Sequence, residues 1–325
     1  MIDFRYHLVS IVAIFLALAV GLVVGATTLT GPTETALSKA EHDLSQANAT
    51  LNQQLKADQA FAQASSARLL PGLLTGRKVV LIVPPGTDAG MVTGVATALQ
   101  QAGATVTGKV TLQPSFFDFS GPTETSLTQL ADPLASQTAV TLPQITNSAI
   151  SGQQVAATVL AAAILTKSTT GVGLPLAASH TILSQFTGYL QVSPTTGSTL
   201  AEASLAVLFT PAGNQGSGAQ ATAMSQALDA VATALHSYSL GTVMAGSADA
   251  IPNSAITSMG GSASTVDYAD TAFGQIEVAQ ALAELIQGKA PAAFGVEPDA
   301  APSPAPTPSA TPTPTPTATP KGKTK

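Results

Sequence analysis

Apolar and polar positions along the chain fall into four regimes. Residues 8–26 carry no charged side chain and one hydroxyl, Ser10, across nineteen positions. A helix of that length spans roughly 29 Å, the thickness of a bilayer's hydrocarbon core. Arg5 and His7 precede the run, and no basic residue follows until Lys39. By the positive-inside bias this places the N-terminus in the cytoplasm and everything after the run outside. Val24-Gly25-Ala26 also reads as a small-residue signal-peptidase site, but the run exceeds the roughly 7–15 residues of a signal core. The sequence therefore predicts an uncleaved anchor over residues 1–30. Ala13, Ala17, Gly21 and Gly25 recur every fourth position, and such a stripe either lets two membrane helices approach closely or reflects the abundance of Ala and Gly.

A break at Gly31-Pro32 separates this run from the second regime, residues 33–70, which contains no Gly or Pro and predicts one long helix stopped by Pro71-Gly72. Leu37, Leu44 and Leu51 are spaced by seven, with Ala40 and Ala47 at the d positions between them. That is a short coiled-coil seam. Asp58 at the next a position and Gln54 at the preceding d limit it to little more than two heptads, so a single helix lying on the following domain is the alternative. An anchor running into a stalk over residues 31–70 implies a homodimer at the membrane.

The third regime, residues 77–296, alternates short apolar runs with amphipathic stretches. "KVVLIVP" reads as a buried strand, residues 88–102 as a helix closed by Gly103, and "ATVTGKVTL" as a second strand, which makes a βαβ unit and hence a parallel sheet. Further helices are predicted over 153–165, 219–236 and 271–287, with strands at "SLAVLFTP", "GTVMAG" and "STV". The fold class is α/β, with a three-layer, Rossmann-like parallel-sheet domain outside the membrane. The fourth regime, residues 297–325, is a Pro/Thr-rich tail with eight prolines among residues 301–320. It predicts a disordered, polyproline-like extension on the order of 80 Å long, whose threonines either carry sugars or are plain linker.

Composition narrows the chemistry. Charged residues make up 9% of the chain, against about 25% in an ordinary soluble domain. The net charge of -6 offers no basic face for phosphate backbones, which argues against nucleic acid. The absence of cysteine removes disulfides, zinc-thiolate sites and thiol catalysis together.

Motifs remove more. The first βα turn, "PPGTDAG", matches neither glycine-rich nucleotide fingerprint, and Asp88 reads instead as a helix cap. Ser217 in "GNQGSGAQ" lacks the order of a nucleophile elbow. His180 and His236, each in a predicted helix, have no carboxylate three or four positions on. No catalytic constellation emerges, so an enzyme is not expected and no cofactor is called for. Soft copper(I) prefers thioether and thiolate ligands. Met91, Met224, Met244 and Met259 are dispersed, and His236 lies eight residues before Met244. Asp267 and Asp270 form the domain's tightest acidic pair, after a strand and before a helix, where α/β folds place ligands; one of them alternatively caps that helix. Metal ligation thus has only weak candidates: Asp267, Asp270, His236 and Met244.

The start "MIDFRYHLVSIVAIFLALAVGLVVG", the segment "VPPGTDAGMVTGVATALQQAGATVTGKV" and the closing "STVDYADTAFGQIEVAQALAELIQGKAPAAFG" together resemble the mycobacterial copper-transport protein B (MctB) family of actinobacterial envelope proteins, over about residues 1–296. The resemblance implies a role in copper efflux or tolerance, with copper as the transported or sensed ion, and a pore-like outer-membrane component. Relatives are also associated with cell division and wall hydrolysis, which makes a scaffold acting through division or envelope partners the second expectation. A membrane barrel needs at least about eight strands of some ten alternating residues with aromatic girdles. Fourteen aromatics, ten Phe and four Tyr, do not furnish them.

Overall fold

The computed structural model of the chain describes residues 4–142, 144, 150–167, 173–195, 197, 200–211, 218–247 and 263–295, with the side chains of 4–6, 8 and 26–36 set aside. The tail, Met259 and Ser217 lie outside the described residues. The chain divides into two compact units, residues 1–58 and 59–325.

The described residues of unit one are all helical and form most of α1 (Phe4–Leu69). The backbone stays helical through Gly31-Pro32, where the sequence predicts a break. A proline inside a helix removes one hydrogen bond and costs about 3 kcal/mol. Nucleation is the expensive step, however, and long helical stretches on both sides have already made it. The apolar side chains from Val9 to Val24 stand exposed, as do Leu37, Leu44 and Leu51 at 61–63%. Among the described residues no helix is long and apolar enough to cross a membrane, so the predicted span is not visible as one.

Unit two opens with the last turns of α1, where Ala62 and Ser66 are buried, followed by buried Leu70 and Leu74. Gly72, at φ 89°, makes the turn that ends the helix. The Leu74 N–H then donates to the Ala102 carbonyl at 2.8 Å, tying this corner to the next helix. The strands are β1 (Lys78–Val83), β2 (Thr105–Leu112), β3 (Leu190–Pro194), β4 (Leu205–Phe209), β5 (Gly241–Ala245), β6 (Ser264–Val266) and β7 (Ala293–Phe294). They form one open sheet in the order β3-β2-β1-β4-β5-β6-β7. Every neighbouring pair is parallel except β2 with β3. The order reverses between β1 and β4, the switch point of a doubly wound sheet.

Alternate residues of the central strands feed two cores. Val80, Ile82, Ala206, Leu208 and Met244 face one layer, built from α3 (Gly121–Thr138), α4 (Ser151–Ile164), α5 (Leu176–Gln185) and α6 (Ala219–Tyr238). Val79, Leu81, Val207, Phe209 and Val243 face the other, formed by α2 (Ala89–Gln101) and α7 (Ala272–Ile286) with the end of α1. The expected three-layer α/β arrangement is present.

Helix α3 and strands β3 and β7 have no counterpart among the predicted elements, and α5 was anticipated only as the helix that holds His180. In α3, Leu127, Leu130, Ala131 and Leu134 keep helical spacing, but Pro133 sits inside it and hides the pattern. Its start is organised by Asp118, which accepts from Thr123 Oγ1 at 2.7 Å and from the Ser120 N–H at 3.1 Å. Those hydrogen bonds hold the exposed Asp118 carboxyl below the usual range.

Candidate functional site

The carboxyl ends of β1, β4, β5 and β6 are where a doubly wound sheet offers ligands a crevice. After β1, Pro84-Pro85-Gly86 turns the chain, with Gly86 at φ 81°. Asp88 then caps α2, its Oδ1 accepting from the Met91 N–H at 2.7 Å. The cap read from the sequence is in place, and the N-terminus of α2 is filled by the chain's own carboxylate.

The predicted acidic pair separates. Asp267 is buried at the end of β6, its N–H donating to the Phe294 carbonyl at 3.3 Å. Its carboxylate fills the space in which Gly295 would carry a side chain. Asp270 is exposed on the same turn. Neither carboxylate caps the helix that follows. Thr271 does so, with Oγ1 accepting from the Gly274 N–H at 3.1 Å and donating to the Tyr268 carbonyl at 2.8 Å. The Ala269 N–H reaches the Gly246 carbonyl at 2.7 Å and the Gly246 N–H reaches Val266 at 2.8 Å, so the ends of β5 and β6 are stitched into one tight corner.

His236 lies in the last turn of α6, and burial, together with the nearby charge of Lys167, holds its imidazole below the usual value. Met244 is 1% exposed in the middle of β5, between Leu208 of β4 and Thr265 of β6. Met91 and Met224 are buried core residues as well. The thioethers among the described residues therefore pack hydrophobic layers. Among the described residues no group of three or more His, Asp or Glu side chains is arranged to hold a metal ion.

Sequence reasoning missed two buried carboxylates, Glu277 within α7 and Glu124. Glu124 of α3 reaches the N-terminus of α4, where its Oε2 accepts from the Gly152 N–H at 2.6 Å and from Ser151 Oγ at 3.1 Å. A carboxylate there satisfies orphan donors and meets the positive end of the helix dipole. Gly152 allows the approach, since a Cβ on it would lie 2.6 Å from the Glu124 carbonyl oxygen. No local motif announces a cap supplied from another helix. A cleft between α4 and α6 was also missed, because its polar lining is spread over two helices and a loop.

In unit one, Ala17, Gly21 and Gly25 sit on the apolar part of α1, and a Cβ added at either glycine meets nothing within 4 Å. Leu37, Leu44 and Leu51 make an exposed stripe, with Asp43, Gln46, Ala47 and Thr50 bordering a shallow hollow beside Leu51.

A family model described as "Copper transport outer membrane protein, MctB" matches residues 1–304. Relatives named "Copper transporter MctB" from Mycobacterium bovis and Mycobacterium tuberculosis are 28% identical over 309 residues, covering 89% of this chain and 94% of the relative.

Proposed function

The chain belongs to the family of the copper transport outer membrane protein MctB, and from that membership we propose that it takes part in copper efflux or tolerance at the cell envelope. The observation that carries the reading is the match over residues 1–304, which takes in both structural units. Copper is the ion moved or sensed and is substrate here, with no resident cofactor and no catalytic step assigned to the protein. The apolar start of α1 anchors it in a membrane as a single pass, with the N-terminus in the cytoplasm and the α/β unit outside. Two copies pair through Leu37, Leu44 and Leu51, aided by the Ala17, Gly21 and Gly25 stripe.

The described sheet is open, with strands of two to eight residues and its central strands buried between helices. It does not supply a pore wall, so the contribution to transport runs through the external unit and its contacts.

The exposed leucine stripe also favours a second reading: a scaffold that binds division or wall proteins through the stalk and the domain face. Measuring cell copper and septum shape in one deletion strain separates the two. Raised copper with normal septa is expected; normal copper with aberrant septa would sink the transport reading in favour of the scaffold. Labelling a cysteine placed in the tail of intact cells should give a signal, and a silent tail would overturn the topology.

A further inference from the structure

Strand β3 closes one side of the sheet and has no neighbour beyond it among the described residues. Its pairing with β2 fixes which backbone groups stay open. The Gln113 N–H donates to the Tyr189 carbonyl at 2.8 Å and the Thr195 N–H to the Thr107 carbonyl at 3.0 Å. In this antiparallel register the odd-numbered residues of β3 bond to β2 and the even-numbered ones point outward. Of the outward N–H groups, that of Leu190 already donates to the Phe186 carbonyl at 2.9 Å, and Pro194 has none. The open edge therefore offers the carbonyls of Leu190, Val192 and Pro194 but the N–H of Val192 alone. A groove lies along the same flank between β3 and α5, bordered by Gln113, His180, Leu183 and Ser184. Such an edge suits a strand that brings N–H groups to it.

The chain's own sequence contains a segment of that kind. All eight prolines among residues 301–320 stand at even-numbered positions, so every odd-numbered residue keeps its N–H. An extended chain has a period of two, which gathers those N–H groups on one edge and strips nearly all donors from the other. Proline takes the same place in edge strands, with its missing N–H towards solvent. A polyproline helix, with three residues per turn, would scatter the same groups around its axis. Length then selects the part that reaches. Strand β7 ends at Phe294, six strand spacings from β3, about 29 Å at roughly 4.8 Å each. Residues 296–300 span at most about 17 Å, whereas residues 296–310 span about 50 Å. Beyond them Thr311, Thr313, Thr315, Thr317 and Thr319 fill the odd positions, and β-branched residues favour strands.

We propose that residues 311–319 dock on the β3 edge of their own chain as an added antiparallel strand. With Thr315 opposite Val192, each donates its N–H to the other's carbonyl, while Thr317 and Thr313 donate to the carbonyls of Leu190 and Pro194. Threonine side chains then turn towards the groove, and the proline edge ends the sheet. This docking is independent of copper handling and of pairing between copies. Because the chain has no cysteine, an introduced pair can be read in the full-length protein in detergent micelles. Ser193→Cys with Pro314→Cys puts two thiols directly opposite each other. Ser193→Cys with Pro302→Cys is the control, since the stretch before residue 302 is too short to reach. Under mild oxidation, peptide mass spectrometry should find a disulfide within one chain forming about tenfold faster for the first pair. Hydrogen exchange reads the same contact without thiols. Thr313→Pro, Thr315→Pro and Thr317→Pro together change only the tail, and protection of the Val192 N–H should fall about tenfold in that variant. Equal rates for the two cysteine pairs, a disulfide formed only between chains, or unchanged Val192 exchange in the proline variant would overturn the proposal.

Discussion

Gly274 shows how closely single atoms set this fold. A Cβ there would overlap the Tyr268 carbonyl, the oxygen that also accepts from the Thr271 N–H and Oγ1. Gly274→Ala must push the β6–α7 corner apart, and overpacking of this kind costs about 1–3 kcal/mol. Differential scanning fluorimetry should show a melting point several degrees lower. His236 gives a pH-dependent counterpart. Its folded pKa lies below the ordinary value of 6.5, so between the two values the unfolded chain binds more protons than the native one. Stability is then lost as pH falls through about 6.5 towards the lowered folded value. His236→Gln should flatten the decline in urea midpoint between about pH 8 and pH 5, and an unchanged slope would assign that decline to other groups. At this scale the sequence made Asp88 legible as a cap because a strand, a turn and an Asp stand in line. It offered Asp267 or Asp270 as the cap of α7 and passed over Thr271, although all three side chains are acceptors. Which one sits at the helix start depends on where β6 ends, and that is fixed by pairing with β5 and β7.

At the scale of elements, α4 depends on a partner helix for its first turn. Glu124→Ala would leave the buried Gly152 N–H without its acceptor, at a cost of about 1–3 kcal/mol. Chemical denaturation of the variant should show that loss with an unchanged slope. Glu124→Gln keeps an acceptor oxygen in place and should recover part of it. Helix α1 carries the opposite situation, a leucine stripe with nothing over it in a single chain. Leu44→Asp places a charge in the middle of the seam and should convert a sedimenting dimer to monomer without loss of helix content; a wild-type monomer would remove the seam from consideration. The strong helices and buried strands were readable because periodicity alone carries them. Helix α3 was not, since Pro133 is tolerated by packing of Leu127 and Leu134 that no local rule contains. The same holds for Gly31-Pro32, where helix on both sides overrides the local breaker.

At the scale of the molecule, alternating strands and helices were enough to give a three-layer α/β architecture. The antiparallel edge β3 and the two-residue β7 were not legible, because short edge strands owe their existence to the neighbour that pairs them. The cleft between α4 and α6 was hidden for a related reason: its lining converges from distant stretches of chain.

Two helices of this fold, α2 and α4, begin on a carboxylate supplied by the chain itself, Asp88 in one case and Glu124 in the other. In a doubly wound sheet the helix start beside the switch point is the customary seat for a phosphate. Here that seat is already taken by a permanently tethered acid. A phosphate group approaching the start of α2 would therefore meet the Asp88 carboxylate in place of a free Met91 N–H.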